Sequence, residues 1–290
     1  MQFSLRCICS LLLLSLLSQS CKKDDDDPTP ATTDECEGTS SVYAIDLDHT
    51  NCNVNIQNAL GSNSVYNESV SGNKRMITIN NVASHLVGAF PNSGNPNAIS
   101  EVTEMYEMTT NPSPAANTTD GSGFTTGILF SGVAIEPYTA EFFIGNNGPN
   151  MDWNITALQS TTNLGLDCNN AHVQPNGRYH YHGTPSAYLN QLGNVDGSEM
   201  VKVGYAADGY PIYYKYGYAS DGTTLVEYTS GYQLVGTERG GDGTSAPDGC
   251  PNGYYFQDYE YVNGSELDAC NGRTGKTPES NSEYYYLITD

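Results

Sequence analysis

Three of the five histidines in this 290-residue chain lie within a stretch of eleven residues: His172, His180 and His182. Imidazole is the commonest side-chain ligand for transition metals, and a His-X-His pair on a strand presents both rings on one face. Three imidazoles are the ligand set of open catalytic zinc sites and of copper sites. A single histidine on a β-surface is usually structural, but this clustering favours a metal site.

The segment Pro175-Asn176-Gly177 between these histidines predicts a tight turn joining two strands. Proline presets φ at the first turn position and glycine accepts the left-handed position, as in a three-residue hairpin loop closed by a bulge. That loop places His172 opposite His180, so that all three rings share one face. A two-residue loop would instead place His172 opposite Tyr181, and the three rings would not converge.

Four aspartates are candidates for completing a coordination shell, orienting a ligand histidine or acting as a base: Asp167, Asp208, Asp258 and Asp268. Asp208, in an Asp-Gly turn between two predicted strands, is the preferred catalytic candidate. Aspartate also favours turns for purely conformational reasons, so a structural role remains open at each position.

Tyrosine is abundant, with 22 copies, and six of these lie close together: Tyr205, Tyr210, Tyr213, Tyr214, Tyr216 and Tyr218. An exposed row of aromatic faces would suit a glycan- or protein-binding surface module in which the histidines are structural. Tyrosine also has a high β propensity and often covers half-buried sheets, which is the simpler explanation.

Turn signals and short β-rich runs dominate the chain, which has 30 Gly and 14 Pro and lacks long helical periodicity. We therefore expect a mainly β fold, an antiparallel sandwich or barrel-like single domain with long loops and little helix. Residues 186–192, between Pro185 and Gly193, predict one short helix. Residues 225–228 and 232–235 predict a hairpin.

Residues 1–20 predict a secretory signal peptide, because Arg6 precedes a leucine-rich run that is too short to span a membrane. Cys21 follows small residues, which indicates a lipidated mature N-terminus; an ordinary signal with an incidental cysteine is the alternative. Residues 21–35 form an acidic, flexible tether typical of outer-membrane lipoproteins that face the cell surface, or simply a solvated linker. Residues 36–290 form the single β-rich domain.

The charge balance excludes several partners. Loss of the signal peptide removes Arg6 and leaves 10 Lys and Arg against 33 Asp and Glu. A chain with this much negative charge is unsuited to bind nucleic acid or an anionic membrane surface. Membrane contact is therefore expected through the lipid only. The sequence contains no nucleophile-elbow, Walker A, dinucleotide-binding, HExxH or EF-hand pattern.

Five cysteines follow Cys21: Cys36, Cys52, Cys168, Cys250 and Cys270. Export implies an oxidising compartment, and an odd number allows at most two bridges. Cys36 and Cys52 are the natural local pair. Residues 166–170 resemble residues 267–272, and each segment precedes a Tyr-rich strand. Two similar hairpins lying side by side would bring Cys168 near Cys270, although chance similarity explains the echo equally well.

Several long motifs together resemble the YHYH family. The resemblance rests on residues 163–167, 170–177 and 179–183, which include the tetrad Tyr-His-Tyr-His itself. It continues in residues 203–213, 258–261 and 267–279, and upstream in 84–91 and 95–97. The similar segments span about residues 74 to 289. Family members are mostly exported and carry no assigned activity, so the resemblance implies a family and an expected metal site at the tetrad.

The resemblance also draws attention to His85 and Asp208, since both lie in family-like segments. We expect His172, His180, His182 and His85 to be metal ligands for zinc or copper, and Asp208 to be the catalytic residue. Two functions follow as hypotheses. The first is a surface lipoprotein with a metal-binding site, which extends to a metal-dependent hydrolase. The second is a module that binds glycans, other small molecules or proteins.

Overall fold

The structure is a computed structural model that describes residues 36–290. The predicted signal peptide, Cys21 and the acidic tether lie outside the described residues. Within residues 36–290, helices are too short or too polar to cross a bilayer.

Short strands make up most of the regular structure. The helices are α1 (Ile56–Leu60) and α2 (Ser186–Leu192), with 3-10 turns at His49–Asn51 and Phe256–Asp258. The strands are β1 (Tyr66–Ser71), β2 (Lys74–Ile79), β3 (Glu104–Thr109), β4 (Gly127–Leu129), β5 (Ala134–Ile135), β6 (Phe142–Gly145), β7 (Gly148–Asn154), β8 (Ala171–Val173), β9 (Tyr179–Tyr181), β10 (Lys202–Ala206), β11 (Pro211–Tyr214), β12 (Tyr216–Tyr218), β13 (Leu225–Glu227), β14 (Tyr232–Leu234), β15 (Tyr259–Tyr261), β16 (Gly272–Gly275) and β17 (Glu283–Ile288).

An eight-stranded sheet organises the domain, in the order β16-β17-β11-β10-β4-β5-β9-β8. Most neighbours are antiparallel, but β5 pairs with β9, and β11 with β17, in parallel. A three-stranded sheet (β1-β2-β3) and three two-stranded ribbons (β6-β7, β12-β13 and β14-β15) complete the fold. The mainly β single domain is confirmed, and within the described chain its sheets do not close into a barrel.

Two local expectations had different outcomes. The predicted helix at residues 186–192 is α2, and it ends as expected at Gly193, whose φ of 77° is left-handed. The predicted hairpin between residues 225–228 and 232–235 is wrong. The first segment, β13, pairs with β12, and the second, β14, pairs with β15. Both segments have the expected strand propensity, but their partners come from elsewhere in the chain.

The main core lies against one face of the large sheet, from β11 to β8. Tyr179 and Tyr181 on β9 are fully buried there, beside Val133, Val173 and Val203. Because side chains alternate along a strand, burial of these tyrosines turns the intervening His180 to the opposite face. The hydrophobic effect on the tyrosine face therefore determines the orientation of the histidine face.

Strand β8 is an edge strand, and the chain covers its open side. Asn95 and Asn97 both donate side-chain hydrogen bonds to the Val173 carbonyl, at 2.9 and 2.8 Å. Ser100 N donates to the carbonyl of Gly177 at the hairpin tip, at 2.9 Å. These contacts satisfy main-chain groups that would otherwise be exposed, and they hold the hairpin in place.

The disulfide pairs differ from those expected. Among residues 36–290 the bridges are Cys36–Cys250 and Cys52–Cys168, and Cys270 is exposed and unpaired with any of these residues. The expected pairs Cys36–Cys52 and Cys168–Cys270 are wrong. Cys168 lies just before β8 and Cys270 just before β16, and these strands form opposite edges of the eight-stranded sheet.

Candidate functional site

The turn between β8 and β9 has the three-residue register on which the histidine cluster depends. Gln174 N donates to Arg178 O at 2.9 Å, and Gly177 N donates to Gln174 O at 2.8 Å. Gly177 has a φ of +87°, and a Cβ at this position would lie 2.8 Å from the Ser100 Cβ. Glycine is therefore required both by the turn and by the close approach of Ser100.

This register places His172 directly opposite His180, as predicted. The three ring centroids, with His182, lie 4.6 to 4.8 Å apart. The Nε2 atoms of His172 and His182 are 3.0 Å apart, and one ligand nitrogen from each ring lies within 4.8 Å of the other two. Convergence of the three imidazoles is confirmed.

Backbone carbonyls face the Nδ1 atoms of all three rings. His172 Nδ1 lies 3.1 Å from Leu164 O, and His182 Nδ1 lies 3.3 Å from Pro137 O. The contact of His180 Nδ1 with Arg178 O is longer, at 3.4 Å. A carbonyl that accepts the Nδ1 proton leaves the Nε2 lone pair free, which is the usual arrangement around metal-bound histidine.

Burial keeps the cluster neutral at physiological pH. Desolvation lowers the pKa of His180 to about 3, with further lowering from His172 and Arg178. It also holds the pKa of His182 well below 6.5, and that of the half-buried His172 below 6.5 although the Leu164 carbonyl opposes the shift. Neutral imidazoles have free lone pairs, so all three rings are in the form that binds metal.

Arg178 anchors the strand that carries His180. Its guanidinium is buried and forms ion pairs with Glu104 and Glu136, at 2.8 and 2.6 Å. Burial alone would lower the pKa of Arg178, but Glu136, Tyr106 and Glu104 outweigh that effect and raise it. Arg178 therefore stays charged and holds β9, β3 and the end of β5 together beneath the cluster.

The three histidines line a cleft of about 1030 Å³. Carboxylates of Glu136 and Glu141 and the aromatic rings of Tyr138 and Phe256 also line it. Glu141 is exposed, whereas Glu136 is half-buried and accepts a hydrogen bond from Gln174 Nε2 at 3.1 Å. A metal ion at the histidines would therefore be accessible to a ligand from the cleft.

The structure does not bring His85 or Asp208 to this cluster. His85 Nε2 lies 2.5 Å from the hydroxyl of Tyr181, on the tyrosine face of β9, and Ser131 Oγ lies 2.7 Å from the same hydroxyl. Asp208 is exposed in the β10–β11 turn and accepts a hydrogen bond from Tyr286 at 2.6 Å. The geometry therefore supports neither His85 as a ligand nor Asp208 as a catalytic residue.

The other three aspartates have structural partners. Asp167 accepts a hydrogen bond from the Tyr179 hydroxyl at 2.7 Å, and Asp268 accepts one from Tyr284 at 2.9 Å. Asp258 is fully buried and pairs with Arg239 at 2.7 Å. None of them belongs to the three-histidine group found within the described residues.

Several residues of the cleft were missed by sequence reasoning. Glu136, Pro137 and Tyr138 directly follow β5, which pairs in parallel with β9 and so runs beside the histidine strand. Phe256 reaches the cleft from a 3-10 turn more than 70 residues after the hairpin. Parallel pairing between short, distant strands leaves no local pattern, so no sequence signal identified them.

Fold and site together define a mainly β domain with three converging histidines in an open cleft. Residues 105–290 match the family described as YHYH protein. Because the match covers more than half of the chain, this chain belongs to that family. The matched region runs from the second residue of β3 through β17 and includes all three clustered histidines, whereas His85 lies before it. No curated protein and no solved structure matches the chain significantly.

Proposed function

We propose that this chain is a surface lipoprotein with a transition-metal site formed by His172, His180 and His182, and that the metal supports hydrolysis. One observation carries the proposal: three contacts of the His172 and His182 rings each need a hydrogen. These are the two Nδ1–carbonyl contacts and the 3.0 Å contact between the Nε2 atoms. Two neutral imidazoles have only two ring protons between them.

The contact that lacks a hydrogen can be satisfied in two ways. The pair of rings can carry a third proton, or a cation can lie between the two Nε2 atoms. A third proton would make one ring an imidazolium, which burial of His182 disfavours. A metal ion bound by the Nε2 atoms removes the conflict, since both Nδ1 atoms then keep their protons and donate them to the carbonyl oxygens. The metal is therefore the better explanation for two Nε2 atoms that face each other at 3.0 Å.

The donor set favours zinc or copper. Zinc–imidazole distances of about 2.0–2.1 Å give about 3.3 Å between nitrogens of a tetrahedral site. In this chain the Nε2 atoms of His172 and His182 are 3.0 Å apart, and the ligand nitrogens of all three rings lie within 4.8 Å of one another. The spacing expected for zinc lies between these two distances. Three protein ligands leave a position for water, and a bound zinc ion lowers the pKa of such a water toward 7 and so supplies a nucleophile for hydrolysis.

The alternative of a glycan- or protein-binding Tyr face receives less support. Tyr210, Tyr213 and Tyr214 are at most 8% exposed, so the dense Tyr segment contributes largely to the core.

We expect the untagged, full-length wild-type protein to retain about one equivalent of zinc or copper, and a His180→Asn/His182→Asn double variant to retain less than about 0.2. Inductively coupled plasma mass spectrometry after gel filtration measures the content. His49→Asn is the matched control, because His49 is exposed and outside the cluster. His172→Asn, at the half-buried member, tests the site if the double variant does not fold. Wild-type protein that takes up no metal even after incubation with zinc would disprove the site.

The lipid anchor is proposed from the sequence alone, from Cys21 at the end of a signal peptide and the acidic tether that follows. We expect an alkyne-labelled fatty acid fed to the expressing Gram-negative cells to be incorporated into wild-type protein and not into Cys21→Ser. Cys270→Ser, which changes a free cysteine elsewhere, is the control and should keep the label. Equal labelling of wild type and Cys21→Ser would contradict the anchor.

A further inference from the structure

A stacked aromatic pair lines the cleft beside the histidine cluster. The rings of Tyr138 and Phe256 lie 4.5 Å apart between centroids, inclined by 30°, and both line the cleft. Phe124 and Met151 line it as well and are 66% and 72% exposed. Large apolar side chains held open to solvent around a polar centre are typical of ligand sites. A flat ring of a ligand would extend the Tyr138–Phe256 stack by packing on the outer face of one of the two rings.

The charges of the same cleft are one-sided. Asp120, Glu136 and Glu141 line it, and Arg178 is the sole cation among the lining residues of the described chain. Arg178 is only 4% exposed, and Glu104 and Glu136 already occupy its Nε and Nη1.

The remaining guanidinium nitrogen of Arg178 is also engaged. Nη2 donates to Thr125 Oγ1 at 3.0 Å and to the Tyr106 hydroxyl at 3.3 Å. The described residues of the cleft therefore offer no free cationic side chain to a phosphate or carboxylate. By contrast, the exposed carboxylate of Glu141 makes no hydrogen bond or ion pair with the residues that the structure describes, so it is free to meet a ligand.

We infer, on the basis of the proposed metal site, that the part of the substrate away from the metal is uncharged or positively charged and presents a flat apolar ring to Tyr138 and Phe256. Away from the metal, an anionic group would be desolvated beside Glu141 without a free cationic side chain to compensate it, which is unfavourable. An amine would gain from Glu141, and a ring stacked on the aromatic pair gains from its apolar and quadrupolar contacts. The lining away from the metal thus disfavours a negatively charged group on the substrate.

Hydroxamic acids test this directly, because they bind a metal through one end and differ only in the other. The probes are benzhydroxamic acid and its para-aminomethyl and para-carboxylate derivatives, with acetohydroxamic acid as the ring-free reference. Their dissociation constants are measured on cobalt-loaded full-length protein from the visible absorption of the metal. We expect the aminomethyl probe to bind about tenfold more tightly than the carboxylate probe.

Two variants locate the effect. Glu141→Gln should reduce the amine-over-carboxylate ratio by about threefold or more, whereas Glu107→Gln, an exposed acid on β3 paired with Lys74, should leave it unchanged. Phe256→Ala should weaken benzhydroxamic acid by about fivefold and acetohydroxamic acid very little.

The outcomes separate the two levels of the proposal. Protein that binds neither cobalt nor zinc would overturn the metal site and this inference with it. Protein that binds cobalt but prefers the carboxylate probe, or shows the same ratio in Glu141→Gln as in wild type, would overturn the substrate inference alone. Cobalt binding with the expected ratios in wild type and variants supports both.

Discussion

Replacing Cys52 and Cys168 by alanine is expected to lower the free energy of unfolding by about 4–5 kcal/mol. The bridge joins residues separated by 116 positions, and a loop of that length gains considerable entropy in the unfolded chain when it is opened. In the folded state, the same bridge ties the segment before β8 to the 3-10 turn at residues 49–51. Its loss therefore also loosens the approach to His172.

Urea denaturation followed by circular dichroism measures the change, with the midpoint and slope compared between variants. Cys270→Ala is the matched control, because it removes a free, exposed thiol and should change stability by less than about 0.5 kcal/mol. A double variant within about 1 kcal/mol of wild type would show that the unfolded chain is not restrained by this bridge.

The disulfide error shows what a local pattern can and cannot predict. The similar segments at residues 166–170 and 267–272 do form the same turn, with Asn170 at φ 50° and Asn271 at φ 57°. In each turn the aspartate, Asp167 or Asp268, accepts a hydrogen bond from a strand tyrosine. The sequence echo therefore corresponds to a repeated conformation, since the same residue types satisfy the same backbone groups.

The position of each turn in the sheet does not follow from its local conformation. The β8–β9 and β16–β17 hairpins form opposite ends of an eight-stranded sheet, roughly 30 Å apart at about 4.8 Å per strand. The turns also superpose Cys168 on Ala269 rather than on Cys270. Local conformation follows from nearby residues, but sheet order depends on which distant strands bury the most apolar surface together, and no short motif encodes that.

The same distinction explains the candidate site. The His172–His180 register was predictable because Pro175, Asn176 and Gly177 determine the turn, and alternation then determines the face. His85 lies in a segment that resembles the family but precedes the matched residues 105–290, and it meets the tyrosine face through Tyr181. Sequence proximity to a motif does not indicate which side of a strand a distant residue will contact.

Arg178→Met is expected to destabilise the fold by about 3–4 kcal/mol. Arg178 is the charge between two carboxylates, and its own side chain is 5% exposed, against 30% for Glu104 and 18% for Glu136. Methionine fills similar volume but leaves both carboxylates without a counter-charge and only partly solvated. We place the loss toward the lower end of the range for buried pairs because water reaches Glu104.

Thermal and urea unfolding test this, with Lys74→Met as the matched control. The Lys74–Glu107 pair is exposed, at 61% and 49%, so its loss should cost less than about 1 kcal/mol. Adding Glu104→Gln and Glu136→Gln to Arg178→Met should recover part of the stability, since the uncompensated charges are then removed. If Arg178→Met were no worse than Lys74→Met, the carboxylates would have to be adequately solvated without it.

If the triple variant regains stability, it also tests whether Arg178 positions the histidine cluster. Arg178 precedes His180 by two residues, and its side chain engages the Glu136 carboxylate that lines the cleft. In Arg178→Met alone, the freed Glu136 charge is available to a metal ion as well as to solvent. We therefore expect the single variant, once folded, and the triple variant both to bind metal at the proposed site, because neither change alters a proposed ligand. Metal lost from the triple variant while its fold is restored would mean that Arg178 positions the strand of His180, and not only its charge balance.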